Sequence, residues 1–168
     1  MRLRPPEEAD AAWIAESVRD PEIPRWTRVP SPYTKDDAFR WIALSESMLR
    51  EGRAYPLLIA DARDGALLGS IGLEVHTEPS RHGKIGYWVA APARGRGAAT
   101  TAVSLLADWG FRELALPAIE IHVMPGNFAS RAVARKAGFT LLERRLGPFR
   151  TTIEEFEVYV RETAEGGP

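Results

Sequence analysis

The chain has 168 residues, 45% of them hydrophobic and 27% charged, with no cysteine and a formal net charge of −1. That length and balance suit a single domain with a full core, and the missing thiols exclude disulfides, cysteine-ligated zinc, iron–sulfur clusters and thiol catalysis. The near-neutral charge gives no global attraction to nucleic acid or an anionic membrane, and no stretch approaches the roughly 18 apolar residues of a membrane span; the expectation is a soluble, cytoplasmic protein.

The elements follow in order. A short first strand ends at Pro5 and Pro6. A helix is predicted over about residues 8–19, acidic in its first turn, with Ala11, Ile14, Ala15 and Val18 on one face. A loop rich in proline and tryptophan comes next: Pro21, Pro24, Trp26, Pro30 and Pro32. Thr34 with Asp37 forms a capping pattern for a helix running to about Arg50, and Gly52 stands just past its end. Tyr55–Ala60, Leu67–His76 and Lys84–Ala90 read as strands. The turns between them are Asp64-Gly65 and Arg81-His82-Gly83, so residues 54–90 are expected to form an antiparallel meander.

The periodicity changes at Gly97. Ala98, Ala102, Leu105, Leu106 and Trp109 fit a helix ending near Gly110. Ala118–Val123 is a strand, Pro125-Gly126 breaks it, and Asn127 caps a short helix that stops at Gly138. Phe139–Arg145 and Thr151–Val160 form a last strand pair around Gly147-Pro148. The third meander strand, its helix and the next strand make one parallel crossover unit, right-handed by the general rule. One domain over residues 1–163 and a disordered tail at Ala164–Pro168 complete the expectation.

The sharpest motif is Val89-Ala90-Ala91-Pro92-Ala93-Arg94-Gly95-Arg96-Gly97-Ala98-Ala99-Thr100, between an apolar strand and a helix. Glycine and alanine at a helix mouth let a ligand approach the backbone. The first-turn N–H groups lack partners inside the helix, and the dipole favours an anion there. With Arg94 and Arg96 beside them, these residues read as a phosphate or pyrophosphate cradle; the alternative is a tight turn with two exposed arginines. A P-loop would need Gly-Lys-Ser/Thr, which is absent. A dinucleotide fingerprint would need Gly or Ala where Thr100 stands.

The spacing Arg94-x-x-Gly97-x-Ala99 resembles the loop signature of the GNAT superfamily of N-acetyltransferases. Gly86-Tyr87-Trp88-Val89 and the block from Asn127 through Ser130, Val133-Ala134 and Lys136-Ala137-Gly138-Phe139 are similar to its RimJ/RimL-like branch. So is the opening, from Leu3-Arg4-Pro5 through Trp26 and Pro32-Tyr33-Thr34 to Trp41-Ile42. The likeness spans roughly residues 2–160. It implies an α/β fold with a central mixed sheet of six to seven strands and about four helices. It also implies acetyl-CoA as co-substrate, a primary amine as acceptor and no metal; a homodimer is left open.

Residue by residue, the resemblance implies that the backbone amides of Arg94, Gly95, Arg96, Gly97, Ala98 and Ala99 hold the CoA pyrophosphate. It gives Val89 the backbone that pairs with pantetheine and turns an N–H toward the acetyl carbonyl. It makes Asn127 a pantetheine contact, a role compatible with an ordinary helix cap. It places Ser130 near the CoA sulfur, where a hydroxyl could stabilise or protonate the leaving thiolate. Many relatives carry a tyrosine acid where this chain has Ala134, so that acid is missing here. A base is still required, because an ammonium must lose a proton before it attacks. Strand alternation puts Glu74 with His76, and Glu120 with His122, on shared faces; the two glutamates lead as candidates. Trp26 and Tyr33, with His76, are candidates for the acceptor wall. Two other classes of function stay open: a non-catalytic acyl-CoA sensor, and a nucleotide-binding module unrelated to CoA.

Overall fold

A computed structural model of the chain describes residues 1–163. The tail expected at residues 164–168 lies outside the described residues. The elements are β1 (Arg2–Arg4), α1 (Ala11–Ser17), α2 (Glu22–Trp26), α3 (Lys35–Glu51), β2 (Ala54–Ala60), β3 (Leu67–His76) and β4 (His82–Val89). Then come α4 (Ala98–Leu114), β5 (Ala118–Val123), α5 (Phe128–Lys136), β6 (Thr140–Phe149) and β7 (Thr152–Glu162). The seven strands form one mixed sheet in the order β1-β2-β3-β4-β5-β7-β6. The chain divides into two compact units: Met1–Gly72 with Tyr87–Ala99, and Leu73–Gly86 with the chain from Thr100 onward.

In the first unit, β1 pairs antiparallel with β2 through Arg2↔Ala60, Leu3↔Ile59 and Arg4↔Leu58. Ala11 and Ile14 of α1 meet Ala38 and Ile42 of α3 over Leu58. Ala11, Ile14, Ala15 and Val18 are all buried, as their spacing predicts. Residues 8–10 of the expected first helix form a tighter 3-10 turn. Arg4 grips the Asp10 carboxylate with two hydrogen bonds of 2.8 and 2.7 Å, and the Glu7 N–H donates to the same group at 2.8 Å. Helix α3 begins on Thr34, whose hydroxyl oxygen accepts from the Asp37 N–H while the Asp37 carboxylate accepts from the Thr34 N–H. It ends on Gly52 at φ 65°, a left-handed cap that glycine adopts without strain.

In the second unit, β4 and β5 run parallel, and β7 joins β5 and β6 in antiparallel register. Leu73, Gly83 and Ile119 share the face that packs on α4. A Cβ on Gly83 would lie 2.8 Å from Leu73 Cδ1 and 2.9 Å from Leu116 Cδ1. Gly110 belongs to that contact too, with an added Cβ 3.0 Å from Leu73 Cδ2 and 3.1 Å from Ile119 Cδ1.

Several boundaries differ from the sequence expectation. The proline-rich segment holds a short helix, α2, started by Pro21 and by Asp20, whose Oδ1 accepts the Glu22 N–H at 3.0 Å. Strand β4 starts at His82, inside the expected turn, because Gly83 already pairs with Ile119. Helix α4 continues past Gly110 to Leu114, and Ala115 turns the chain at φ 47°. Gly110 is there for close packing rather than as a stop. Leu105 is exposed, and Val103 and Ala107 are buried instead. The last strand pair turns at Arg150 (φ 54°) and Thr151, beyond Gly147-Pro148. Pro148 sits within β6 opposite Ile153, on the sheet's terminal strand, where a missing N–H is tolerated.

Candidate functional site

The Arg/Gly motif leaves β4 at Val89, makes one 3-10 turn over Ala91–Ala93 and enters α4 at Ala98. Gly95 and Gly97 take φ of 74° and 78°, and an added Cβ at either would meet nothing within 4 Å. Backbone conformation demands these glycines, and the space in front of them is open. An anion can therefore reach the amides at the mouth of a 17-residue helix.

Arg94 is committed elsewhere. Its Nε donates to the Val89 carbonyl at 3.0 Å, and Nη2 lies 2.7 Å from Asp20 Oδ2. That carboxylate oxygen is buried and meets the guanidinium by charge, off the hydrogen-bonding direction. The Arg94 side chain thus ties the loop to its own strand end and to the start of α2. Arg96 is exposed. Asp20 escaped the sequence reading; only its place before a proline-started helix marks it out.

Gly69 is a second residue the sequence reading missed. A Cβ there would fall 2.3 Å from the Trp88 carbonyl oxygen and 3.0 Å from Val89 Cα. The strand carrying Val89 depends on this close backbone approach, and a glycine inside a strand is its recognisable signal. Trp88 in turn stacks on Trp13 of α1, centroids 5.8 Å apart. The two aromatic residues expected at an acceptor wall are placed differently from each other. Trp26 is half-buried, donates to Glu22 at 3.0 Å and carries the Arg25 guanidinium 4.7 Å over its ring. Tyr33 packs against the Ala11–Leu58 cluster, and burial pushes its phenol up to about 12.

The second unit holds the remaining candidates. Asn127 caps α5, its side-chain oxygen accepting the Ser130 N–H at 3.0 Å; the cap reading and the pairing of these two residues hold together. The cap uses the amide oxygen and leaves the amide NH2 for other partners. Ala134 is fully buried. On β3, exposed Glu74 has its Oε2 3.5 Å from His76 Nε2, and the His76 ring stacks on His82 at 4.9 Å. On β5, Glu120 Oε2 lies 2.7 Å from His122 Nε2, and Arg145 Nη1 is 3.9 Å away. The hydrogen bond from His122 leads the interactions that hold the Glu120 carboxyl below its usual range; burial opposes it, and the charges of His122, His82 and Arg145 reinforce it. Among the described residues, no group of three or more His, Asp or Glu side chains could hold a metal ion.

Sequence comparison assigns this arrangement to a family. The profile of the acetyltransferase (GNAT) domain matches residues 1–140. The chain belongs to the GNAT acetyltransferase family. YjcK of Bacillus subtilis, an N-acetyltransferase by name, is 34% identical over 113 residues, 67% of this chain and 62% of its own length. YdaF of the same organism, named as a ribosomal N-acetyltransferase, is 40% identical over 76 residues, 45% of this chain and 42% of its own. The matches thus span less than two thirds of those two relatives. Among solved structures, Mycobacterium smegmatis RimJ, crystallised with CoA-disulfide, superposes with a TM-score of 0.86 at 25% identity, covering 99% of this chain and 83% of that one. The GNAT sheet and its RimJ/RimL likeness agree with the expected fold class; the helices number five among the described residues, because α2 joins the expected four.

Within this GNAT chain, Val89, Arg94–Ala99, Trp26 and Tyr33 fall in the first compact unit, and Glu74, His76, Glu120, Asn127 and Ser130 in the second. No helix among the described residues is long and apolar enough to cross a membrane.

Proposed function

We propose that the protein transfers the acetyl group of acetyl-CoA to a primary amine by direct attack. The observation that carries this reading is the loop from Arg94 to Ala99, with two left-handed glycines facing open space at the mouth of α4. Its amides would bind the pyrophosphate, and the helix dipole adds to their attraction. Val89 would offer backbone to pantetheine and an N–H to the acetyl carbonyl. Such a donor, aimed at the oxygen that gains charge in the transition state, is worth about 3 kcal/mol of barrier. Asn127 would contact pantetheine through its remaining amide hydrogens, and Ser130 would stabilise the departing thiolate.

In the reaction the free amine attacks the thioester carbonyl. A C–N bond forms, the C–S bond breaks, and the thiolate takes up the proton released by the new amide nitrogen. The acceptor class that the family membership supports is a protein or peptide amino terminus, or a small-molecule amine. The experiment follows CoA release and acetylated product over peptides with varied amino termini, spermidine and aminoglycosides. Release that depends on one acceptor class supports the reading. Acetyl-CoA binding without turnover on any amine would replace it with a non-catalytic sensor.

A further inference from the structure

Asp20 lies in the first unit with the Arg94–Ala99 loop, and its carboxylate serves two elements at once. Oδ1 accepts the Glu22 N–H at 3.0 Å, and the Asp20 carbonyl accepts the Ile23 N–H at 3.0 Å, so the residue is fixed at the start of α2. Oδ2 is buried, accepts no hydrogen bond and lies 2.7 Å from Arg94 Nη2. The same guanidinium donates from Nε to the Val89 carbonyl at 3.0 Å. Arg94 is thus held between two fixed points. The residues after it need such an anchor. Gly95 and Gly97 sit at φ 74° and 78°, and glycine loses more freedom than any other residue when one conformation is imposed.

We propose that Asp20 is a positioning residue of the acyl-CoA site: through Arg94 it keeps the Arg94–Ala99 loop in the shape that receives a pyrophosphate. The proposal rests on the cofactor half of the acetyl-transfer reading above. Charge alone argues for the opposite effect. A carboxylate beside a phosphate site repels the ligand, and it occupies a guanidinium that could otherwise turn to the phosphate. If Asp20 were merely a neighbouring charge, its loss would tighten acetyl-CoA binding. If it orders the loop, its loss spreads the loop over other conformations, and apparent affinity falls with the fraction that stays competent. The pair suits the ordering role. The Asp20 and Arg94 side chains are 20% and 39% exposed, so salt screens them less than a free surface pair. Asparagine cannot replace Asp20, because its single amide oxygen serves either the Glu22 N–H or Arg94, where the carboxylate serves both.

The test titrates acetyl-CoA calorimetrically into the full chain and its variants, each shown to unfold cooperatively on heating. Asp20→Asn is expected to raise the acetyl-CoA Kd about tenfold. Arg94→Met, which removes the other end of the contact, is expected to raise it at least as much. Adding Asp20→Asn to Arg94→Met should cost less than about twofold more, because both act through one contact. This calorimetric arm holds whether or not any amine turns over. Kinetics with S-acetylpantetheine, a donor without the pyrophosphate, separate the role from general damage. With the fastest acceptor of the panel, kcat/KM of Asp20→Asn should fall about tenfold with acetyl-CoA and less than about twofold with S-acetylpantetheine. An Asp20→Asn protein that binds acetyl-CoA as tightly as the parent, or more tightly, overturns the proposal, and so do equal losses with the two donors. If Asp20→Asn does not fold, a folded Arg94→Met with the parent's Kd overturns it instead. A parent that binds no acetyl-CoA removes the cofactor reading, and the role of Asp20 falls with it.

Discussion

At the scale of single residues, a side chain's partners decide what chemistry it can offer. Arg94 illustrates this: its guanidinium is engaged by Asp20 and by the Val89 carbonyl, so in the proposed reading the loop would hold phosphate by its amides rather than by that side chain. Ser130 has its backbone fixed by the Asn127 cap, and the proposed reading gives its hydroxyl the departing thiolate as a partner. Ser130→Ala should lower kcat and leave the acetyl-CoA Kd within about twofold, because a group that acts on the leaving thiolate is felt only in the transition state. Unchanged kcat would remove Ser130 from the mechanism. Tyr33 gives a second residue-scale prediction. Its phenol is raised from about 10 to about 12 by burial, with Asp37 adding to the effect. A raised value means the folded state favours the protonated form. That contribution is whole below pH 10 and is lost as pH climbs through 12. Chemical denaturation across this window should show a steeper loss for the parent than for Tyr33→Phe; parallel curves would contradict the burial assigned to Tyr33.

At the scale of elements, the sequence was legible where local chemistry and burial agree. Thr34, Asp37 and Gly52 bound α3 as their types dictate, and the apolar face of α1 is the one its spacing shows. It was less legible where tertiary contact overrode a local signal. Gly110 looks like a helix stop, yet the approach of Leu73 and Ile119 keeps it inside α4. Gly147-Pro148 looks like a hairpin tip, yet the β6–β7 register carries through it to Arg150. Gly69 is a related case, and it bears on the site. Gly69→Ala must push β4 away at Trp88 and Val89, at a cost typical of overpacking, about 1–3 kcal/mol. Thermal unfolding should drop by roughly 2–4 °C per kcal/mol for a chain of this size, and acetyl-CoA affinity should fall with it. Unaltered Tm and affinity would show that the β3–β4 approach does not support the loop.

At the scale of the whole molecule, the described residues form seven strands and five helices, divided between two compact units. Val89 and the loop lie in the first; the Asn127–Ser130 cap and the Glu120–His122 pair lie in the second. Fold class was readable in the sequence because the loop motif and the blocks around it, Gly86–Val89 and Asn127–Phe139, together carry the family resemblance. Strand alternation puts Glu120 and His122 on one face, but only the folded geometry shows them 2.7 Å apart with Arg145 beside them. Asp20 was out of reach because it lies 74 positions from Arg94 in a segment without a motif (94 − 20).

The central claim is that the Arg94–Ala99 loop is the acyl-CoA site of an N-acetyltransferase, and calorimetric titration of acetyl-CoA into the parent and Gly97→Glu tests it most directly. Gly97 sits at φ 78° with open space ahead, so the substitution costs about 1–2 kcal/mol of backbone strain and sets a carboxylate where phosphate oxygens belong. The prediction is saturable binding by the parent and none by a Gly97→Glu protein that still unfolds cooperatively. A folded Gly97→Glu protein that binds acetyl-CoA as tightly as the parent would contradict the claim.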